Sequence, residues 1–356
     1  MADQDTAPVG ARSGLDILSE SEKLRLDLLG KIGAARDSVV IAYFTSIRPG
    51  LGERIRDEDV RVLERHLGQA RKEGARNIDL FLCTHGGDSI MPWNFHAMFR
   101  DYFPRARFGV FVPFEAYSAG TGIALGADEL ILGRTSVLGP TDTQMNGVSV
   151  NTFSAFLDLL AEFDKSGRVG DRHKLEWLTR QTDPFVLGRL YRVWKENRRK
   201  ILNILASRRR PLSARENEKI ADYFLYQVGL HAQGIRRREA KDAGVSYVVD
   251  LEETGVEAAT ESLFAAYADA MKLFAPFMRG GFVDKADADL NTPLVIIESI
   301  YETNPAFFGF GHPRNWDPPA TLLHQAGADG ERPPATISWR SQPHGDAPAA
   351  RAPKPR

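Results

Sequence analysis

Cysteine is nearly absent from this chain. A single residue, Cys83, stands among 356. That excludes an intrachain disulfide and any structural metal site built on several thiolates, and it fits a reducing, cytoplasmic setting. An excess of one charge is missing too: 47 Asp plus Glu offset 46 Lys plus Arg, for a formal net charge of −1. No whole-chain field therefore draws the protein to nucleic acid or to an anionic lipid surface. Uninterrupted apolar runs are also lacking. The longest apolar stretch, 108–133, is broken by Pro113, Glu115, Asp128 and Glu129, so it does not read as a membrane span. Residues 1–14 carry acidic and small residues where a secretory signal would place a basic patch and an apolar run. No P-loop, HExxH or strand-following GxGxxG is present, which leaves ATP, zinc-protease and dinucleotide chemistry without support. No cofactor and no metal are expected.

What is there is a globular composition, 43% hydrophobic, with strands and helices in alternation. After a flexible arm at 1–15, the spacing predicts a helix over 19–35, a strand over 38–44 and a helix over 57–73. Three further units follow: strand 78–83 with helix 89–102, strand 107–112 with helix 118–127, and strand 129–132. Short strands joined by crossover helices indicate a mostly parallel sheet, whose functional loops leave the carboxyl ends of the strands. From 151 to 282 the chain reads as a mainly helical continuation of the core at 16–150. Predicted helices lie at 152–163, 185–207, 214–225, 237–243 and 256–274, with a strand at 246–249. Beyond 282 the apolar periodicity fades, and 283–356 is expected to be an irregular to disordered tail rich in Pro, Ala and Gly. The basic run 192–210 interleaves Trp194, Ile201, Leu202 and Ile204 and reads as an amphipathic helix with a solvated basic face, not a nucleic-acid site.

Three segments carry chemistry. In the first, Leu80-Phe81-Leu82-Cys83-Thr84-His85-Gly86-Gly87-Asp88, an apolar strand ends in two glycines just before a helix. Such a turn permits positive φ and lets backbone N–H groups face an incoming anionic group. Standing alone, it is equally a tight turn without a ligand. In the second, Phe108 to Asp128, a strand runs into Ser118 at the start of a helix with small residues at Ala119, Gly120, Gly122, Ala124, Gly126 and Ala127. Ser118 suits a nucleophile there, or a plain N-cap. Three glycines in one helix imply close backbone packing. The third, Thr135 to Gln144, holds a Gly139-Pro140 turn that can wall a cleft, and Asp142 either orients a partner there or caps the turn.

In order, these segments resemble the ClpP/crotonase superfamily, and more closely the SppA-like (S49) peptidases and the serine dehydrogenase proteinase (SDH) branch. The patterns hTpGGd, SAGTxIAlaADeI and LGPxDxQ stand here as CTHGGD, YSAGTGIALGADEL and LGPTDTQ. The likeness spans about 37–250 and is densest over 78–144. A later stretch, 234–245, is similar to the segment that precedes the last strand in SppA relatives. The resemblance implies a ClpP/crotonase-like spiral of ββα units followed by a helical region. It also implies a serine peptidase acting through Ser118, with amides of Gly86 or Gly87 and of Ala119 as the oxyanion hole. Peptide or protein substrates and a homo-oligomer are implied on the same ground. The chain departs from the pattern at His85 and Tyr117, which reshape the cleft without removing a donor; His85 reads best as a loop histidine with a local partner.

The general base is less well marked. ClpP places a histidine after the strand that follows the nucleophile helix, where this chain reads Val137-Leu138-Gly139-Pro140. SppA relatives use a lysine, and by that resemblance Lys174 is the first candidate and Lys165 the second. A lysine acts as a base only when burial lowers its pKa toward the working pH, and Leu175, Trp177 and Leu178 are the apolar neighbours available. His173 and His231 are alternative bases. Two other functions stay open at this point: crotonase-like acyl-CoA chemistry, which uses paired amides without a serine, and a catalytically silent scaffold.

Overall fold

The computed structural model describes residues 19–141, 144–145, 148–149, 176, 180, 184–228, 233–275, 292–308, 337–339 and 342–343. Helix α1 (Glu20–Arg36) starts at Ser19, whose Oγ accepts the Glu22 N–H at 3.2 Å while the Glu22 carboxylate accepts the Ser19 N–H at 2.8 Å. This reciprocal capping explains why the helix begins there. Strand β1 (Val39–Thr45) follows, and a hairpin of β2 (Ile47–Arg48) and β3 (Leu51–Gly52) leads to α2 (Asp59–Lys72). Next come β4 (Ile78–Cys83), α3 (Met91–Tyr102), β5 (Phe108–Val112), β6 (Glu115–Ala116), α4 (Ala119–Leu125), β7 (Glu129–Leu132) and β8 (Val137–Leu138). A two-strand pair, β9 (Gln144–Met145) and β10 (Val148–Ser149), precedes α5 (Pro184–Ala206) and α6 (Ala214–Asp222). The chain continues through β11 (Ile235–Arg236), α7 (Arg237–Asp242), β12 (Val248–Asp250) and α8 (Glu257–Ala270). It then adds β13 (Val295–Ser299), β14 (Glu302–Phe308), β15 (Ile337–Trp339) and β16 (Gln342–Pro343).

The central sheet runs β12-β7-β5-β4-β1-β13-β14-β15, with β16 also on β14. From β12 to β1 every neighbour is parallel. From β1 onward the added strands are antiparallel. Both faces are covered, which is why β1 and β4 are apolar almost without interruption and buried throughout. Ile41, Tyr43, Leu80, Leu82, Val110 and Leu130 face the core shared with α2 to α6. Ala42, Phe44, Phe81, Phe111 and Ile131 face the opposite core, against α1 and α8. The result is the mostly parallel α/β arrangement that the alternation of strands and helices predicts.

A buried ionic cluster closes the amino ends of the parallel strands. Asp79 bonds Arg36 at 2.7 Å and Arg107 at 2.9 Å, and Glu129 bonds the same two arginines at 2.8 and 2.9 Å. The carboxyl ends are left to the loops. There a small second sheet, β11-β8-β6, stands over the end of β4.

The stretch after residue 282 corrects the expectation of an irregular tail. Leu294 to Ile297 are buried, and β13 pairs with β1 in the register Ala42↔Glu298 to Thr45↔Val295. Glu298 is fully buried because Arg25, Tyr267 and Thr303 surround its carboxylate at 2.8, 2.6 and 2.7 Å. A charged residue inside a strand, next to a short apolar run, hides the strand from a reading of periodicity. The predicted arm at 1–15 and the predicted helix 152–163 lie outside the described residues.

Candidate active site

Strand β4 hands its carboxyl end to the glycine-containing loop through Thr84. Its N–H donates to Glu115 O and its carbonyl accepts the Tyr117 N–H, both at 3.0 Å. The loop is thereby sewn to β6, and Tyr117-Ser118 runs alongside it. Gly86 sits at φ +95°, and a β-carbon there would lie 2.6 Å from Tyr117 O and 2.7 Å from Ser118 Cβ. Only glycine allows this approach.

Ser118 itself adopts φ 50°, ψ −112°. For a residue with a β-carbon this is outside the common left-handed basin, and such backbone costs about 1–3 kcal/mol. The serine occupies the N-cap position of α4, yet its side chain makes no capping bond. The N-cap alternative raised by its sequence position therefore fails on geometry. Among the described residues no group bonds the Ser118 hydroxyl, and the residue is partly exposed.

The three backbone donors named from the motifs separate into two kinds. The Gly86 N–H donates to Thr84 Oγ1 at 3.0 Å, and that hydroxyl is itself 2.7 Å from Thr45 Oγ1. Its amide is spent inside the loop. The N–H groups of Gly87 and Ala119 bond to nothing among the described residues.

The packing around α4 accounts for its small residues. A β-carbon on Gly120 would meet Thr84 Cγ2 at 2.4 Å, one on Gly122 would meet Pro92 at 2.9 Å, and one on Gly126 would meet the His96 ring at 2.1 Å. His96 is fully buried, its Nε2 lies 2.9 Å from Ile123 O, and burial lowers its pKa to about 4. It therefore acts as a neutral donor holding α3 against α4. Thr121, also fully buried, donates to Ala116 O at 2.6 Å and accepts the Gly139 N–H at 3.0 Å. That bond brings the Gly139-Pro140 turn beside α4. Gly139 lies against the Tyr117 ring, which a β-carbon would meet at 2.2 Å.

His85 has a local partner: its Nε2 is 2.5 Å from Glu115 Oε1, and its ring meets Tyr117 edge-on with 6.1 Å between centroids. Glu115 carries no motif signal, and only its place beside His85 marks it; Thr84 and Thr121 stand inside the quoted motifs, but the bonds they make to Gly86 and Gly139 are visible only in the fold. Lys174, Lys165, His173, His231 and Asp142 lie outside the described residues. In the basic run, Arg198 pairs with Asp222 at 3.0 Å, Arg199 pairs with Glu196 at 2.7 Å, and Ile201 and Ile204 are buried. This is the amphipathic helix the spacing predicts. Among the described residues no cluster of three His, Cys, Asp or Glu could hold a metal ion, and no helix is long and apolar enough to cross a membrane.

Residues 20–159 match the model of the ClpP-like SDH-type serine proteinases. No curated protein matches the chain. Similar solved structures include the 1510-N membrane-bound stomatin-specific protease in complex with a substrate peptide, at 17% identity over 56% of this chain and 73% of that one, with a TM-score of 0.36. ClpP1 from Listeria monocytogenes is 15% identical over 63% of this chain and 96% of its own, with a TM-score of 0.36.

Proposed function

We propose that this chain, which resembles the ClpP-like SDH-type serine proteinases over residues 20–159, hydrolyses peptide bonds through an acyl-enzyme on Ser118. The observation that carries the reading is the backbone of Ser118 at φ 50°, ψ −112°, a strained turn on which the hydroxyl makes no bond that would account for it. Strain of this kind persists where surrounding structure imposes it and where it presents a reacting group.

In this reading the Ser118 Oγ attacks the scissile carbonyl while a base takes its proton. The carbonyl oxygen gains negative charge as the tetrahedral intermediate forms, and the N–H groups of Gly87 and Ala119 donate to it. Gly86 serves the loop through its missing side chain and not as a donor, because its N–H is held by Thr84. Collapse of the intermediate expels the amine, which takes the proton from the base, and water then releases the acyl group by the same steps. Lys174 is the base we propose, with Lys165, His173 and His231 as alternates. Crotonase-like chemistry gives no reason for a strained serine, and a silent scaffold gives none for two unbonded amides beside it.

A fluorophosphonate probe followed by peptide mapping tests the reading. Labelling at Ser118, lost in Ser118→Ala and slowed at least 100-fold in Lys174→Ala, is expected, together with casein cleavage by the wild type. Labelling that persists in Ser118→Ala overturns the assignment of the nucleophile. Unchanged labelling in Lys174→Ala moves the base to one of the alternates, each tested by its own alanine variant.

A further inference from the structure

Residues 53–58 join β3 to α2 and pass along the loop that follows β4. Glu53 N–H donates to Ser46 O at 2.7 Å, which anchors one end. Ile55, 1% exposed, then makes a parallel bridge to Gly87: its N–H donates to Gly86 O at 2.9 Å, and its carbonyl accepts the Asp88 N–H at 3.0 Å. The approach is so close that a β-carbon on Gly87 would stand 2.2 Å from Ile55 O. At the other end, Asp59 Oδ2 accepts the Arg56 N–H at 3.0 Å and the hydroxyl of Tyr43. Asp59 and Tyr43 are both buried, 1% and 0% exposed.

The consequence lies in one peptide plane. In a trans peptide the carbonyl and the following N–H point in opposite directions. With the Gly86 carbonyl held by Ile55, the Gly87 N–H must point away from this strap. The loop's other flank is formed by Ala116, Tyr117 and Ser118. A rotation of the Gly86-Gly87 peptide would instead turn a carbonyl oxygen toward the reacting centre, where it repels the charge that the N–H stabilises. Two adjacent glycines offer little intrinsic resistance to that rotation, so the strap must supply it.

We propose that Asp59 is a positioning residue for hydrolysis: by holding the Arg56 amide it keeps Ile55 on the Gly86 carbonyl, and thereby keeps the Gly87 N–H aimed as an oxyanion donor. The proposal rests on the reading of Ser118 as the nucleophile. Asp59 touches no substrate. Its effect belongs to the transition state, so it enters kcat and leaves KM alone.

The test is steady-state hydrolysis of a small p-nitrophenyl ester by the full chain, comparing wild type, Ser118→Ala, Asp59→Ala, Asp59→Asn and Tyr43→Phe. Loss of one oxyanion donor lowers kcat by about 100- to 1000-fold, and a loosened donor lowers it less. Asp59→Ala is expected to lose at least 10-fold in kcat with KM within 2-fold. Asp59→Asn, whose Oδ1 still accepts the Arg56 N–H, is expected to stay within 3-fold of wild type. A general structural role would not separate kcat from KM or be rescued by asparagine. Equal kcat in Asp59→Ala and wild type overturns the proposal, as does a parallel loss in Asp59→Ala and Asp59→Asn. Should Asp59→Ala fail to fold, Tyr43→Phe decides: a lower kcat at constant KM supports the latch, and an unchanged kcat overturns it. Turnover that survives in Ser118→Ala removes the underlying reading instead, so the two failures are distinct.

Discussion

Gly86 and Ser118 touch so closely that a β-carbon on the glycine would stand 2.7 Å from the β-carbon of the serine. Two positive-φ positions, φ +95° at Gly86 and φ 50° at Ser118, meet across this contact. Gly86→Ala is therefore expected to do two things at once. It forces a residue with a side chain into a conformation that costs about 1–3 kcal/mol, and it pushes Ser118 off its turn. Urea denaturation should show the loss of stability, and fluorophosphonate labelling of the remaining folded protein should slow by at least 10-fold.

Stability and reactivity should part company at Ser118. Glycine tolerates φ 50°, ψ −112° without a steric penalty, whereas alanine does not. Ser118→Gly is expected to be more stable than Ser118→Ala by about 1 kcal/mol or more, with both devoid of hydrolysis. Equal unfolding midpoints would mean that the serine's backbone stores no strain.

Two buried groups oppose each other as the pH falls. Burial raises the Asp59 carboxyl from 3.8 to about 6, partly offset by the hydroxyl of Tyr43, so its ionised form destabilises the fold at neutral pH. That penalty is complete above the folded value of about 6 and vanishes below the unfolded value of 3.8. Burial lowers His96 from 6.5 to about 4, so the fold loses stability as the unfolded chain takes up a proton below 6.5. Each effect amounts to roughly 3 kcal/mol, and their signs differ. Asp59→Asn should exceed the wild type in stability at pH 8 and converge with it near pH 4. The stability of the wild type relative to His96→Gln should decline between pH 6.5 and 4. Urea titrations at fixed pH steps check both; parallel curves across the range would contradict the assignment.

Cys83 should be inert. It is fully buried at the end of β4, and burial pushes its thiol pKa far up, which leaves almost no thiolate. Native protein is expected to resist a thiol-directed reagent such as iodoacetamide and to retain esterase activity during the exposure. Full labelling should appear only in denaturant. Rapid native labelling, read by intact mass, would show that the β4 end opens.

Much of this arrangement is legible in the residues because it rests on composition at fixed places. The Gly-Gly turn, the serine before a helix of small residues and the Gly139-Pro140 turn are needed wherever backbones approach this closely, so the motif order reveals them. The division of labour between Gly86 and Gly87 is not legible, since it depends on which N–H the Thr84 hydroxyl takes. Nor is the strap, because Ile55 contributes only main-chain atoms to the loop and any residue but proline offers those. Glu298 misleads for the opposite reason. A carboxylate ordinarily marks a solvated position, and only Arg25, Tyr267 and Thr303, brought together by folding, make its burial acceptable.

Strand β13 has a consequence for where this chain can be cut. Its antiparallel register along Ala42 to Thr45 covers a row of main-chain groups that would otherwise be the bare rim of an apolar, seven-residue strand. A truncation after residue 282, at the boundary periodicity suggests, would strip that cover and deprive Arg25 on α1 of its Glu298 partner. The shortened chain would present β1 as a template for pairing with its own copies. Insolubility of such a fragment would then report an uncapped sheet and not a failure of the preceding core to fold, and the smallest well-behaved piece should extend through residue 308.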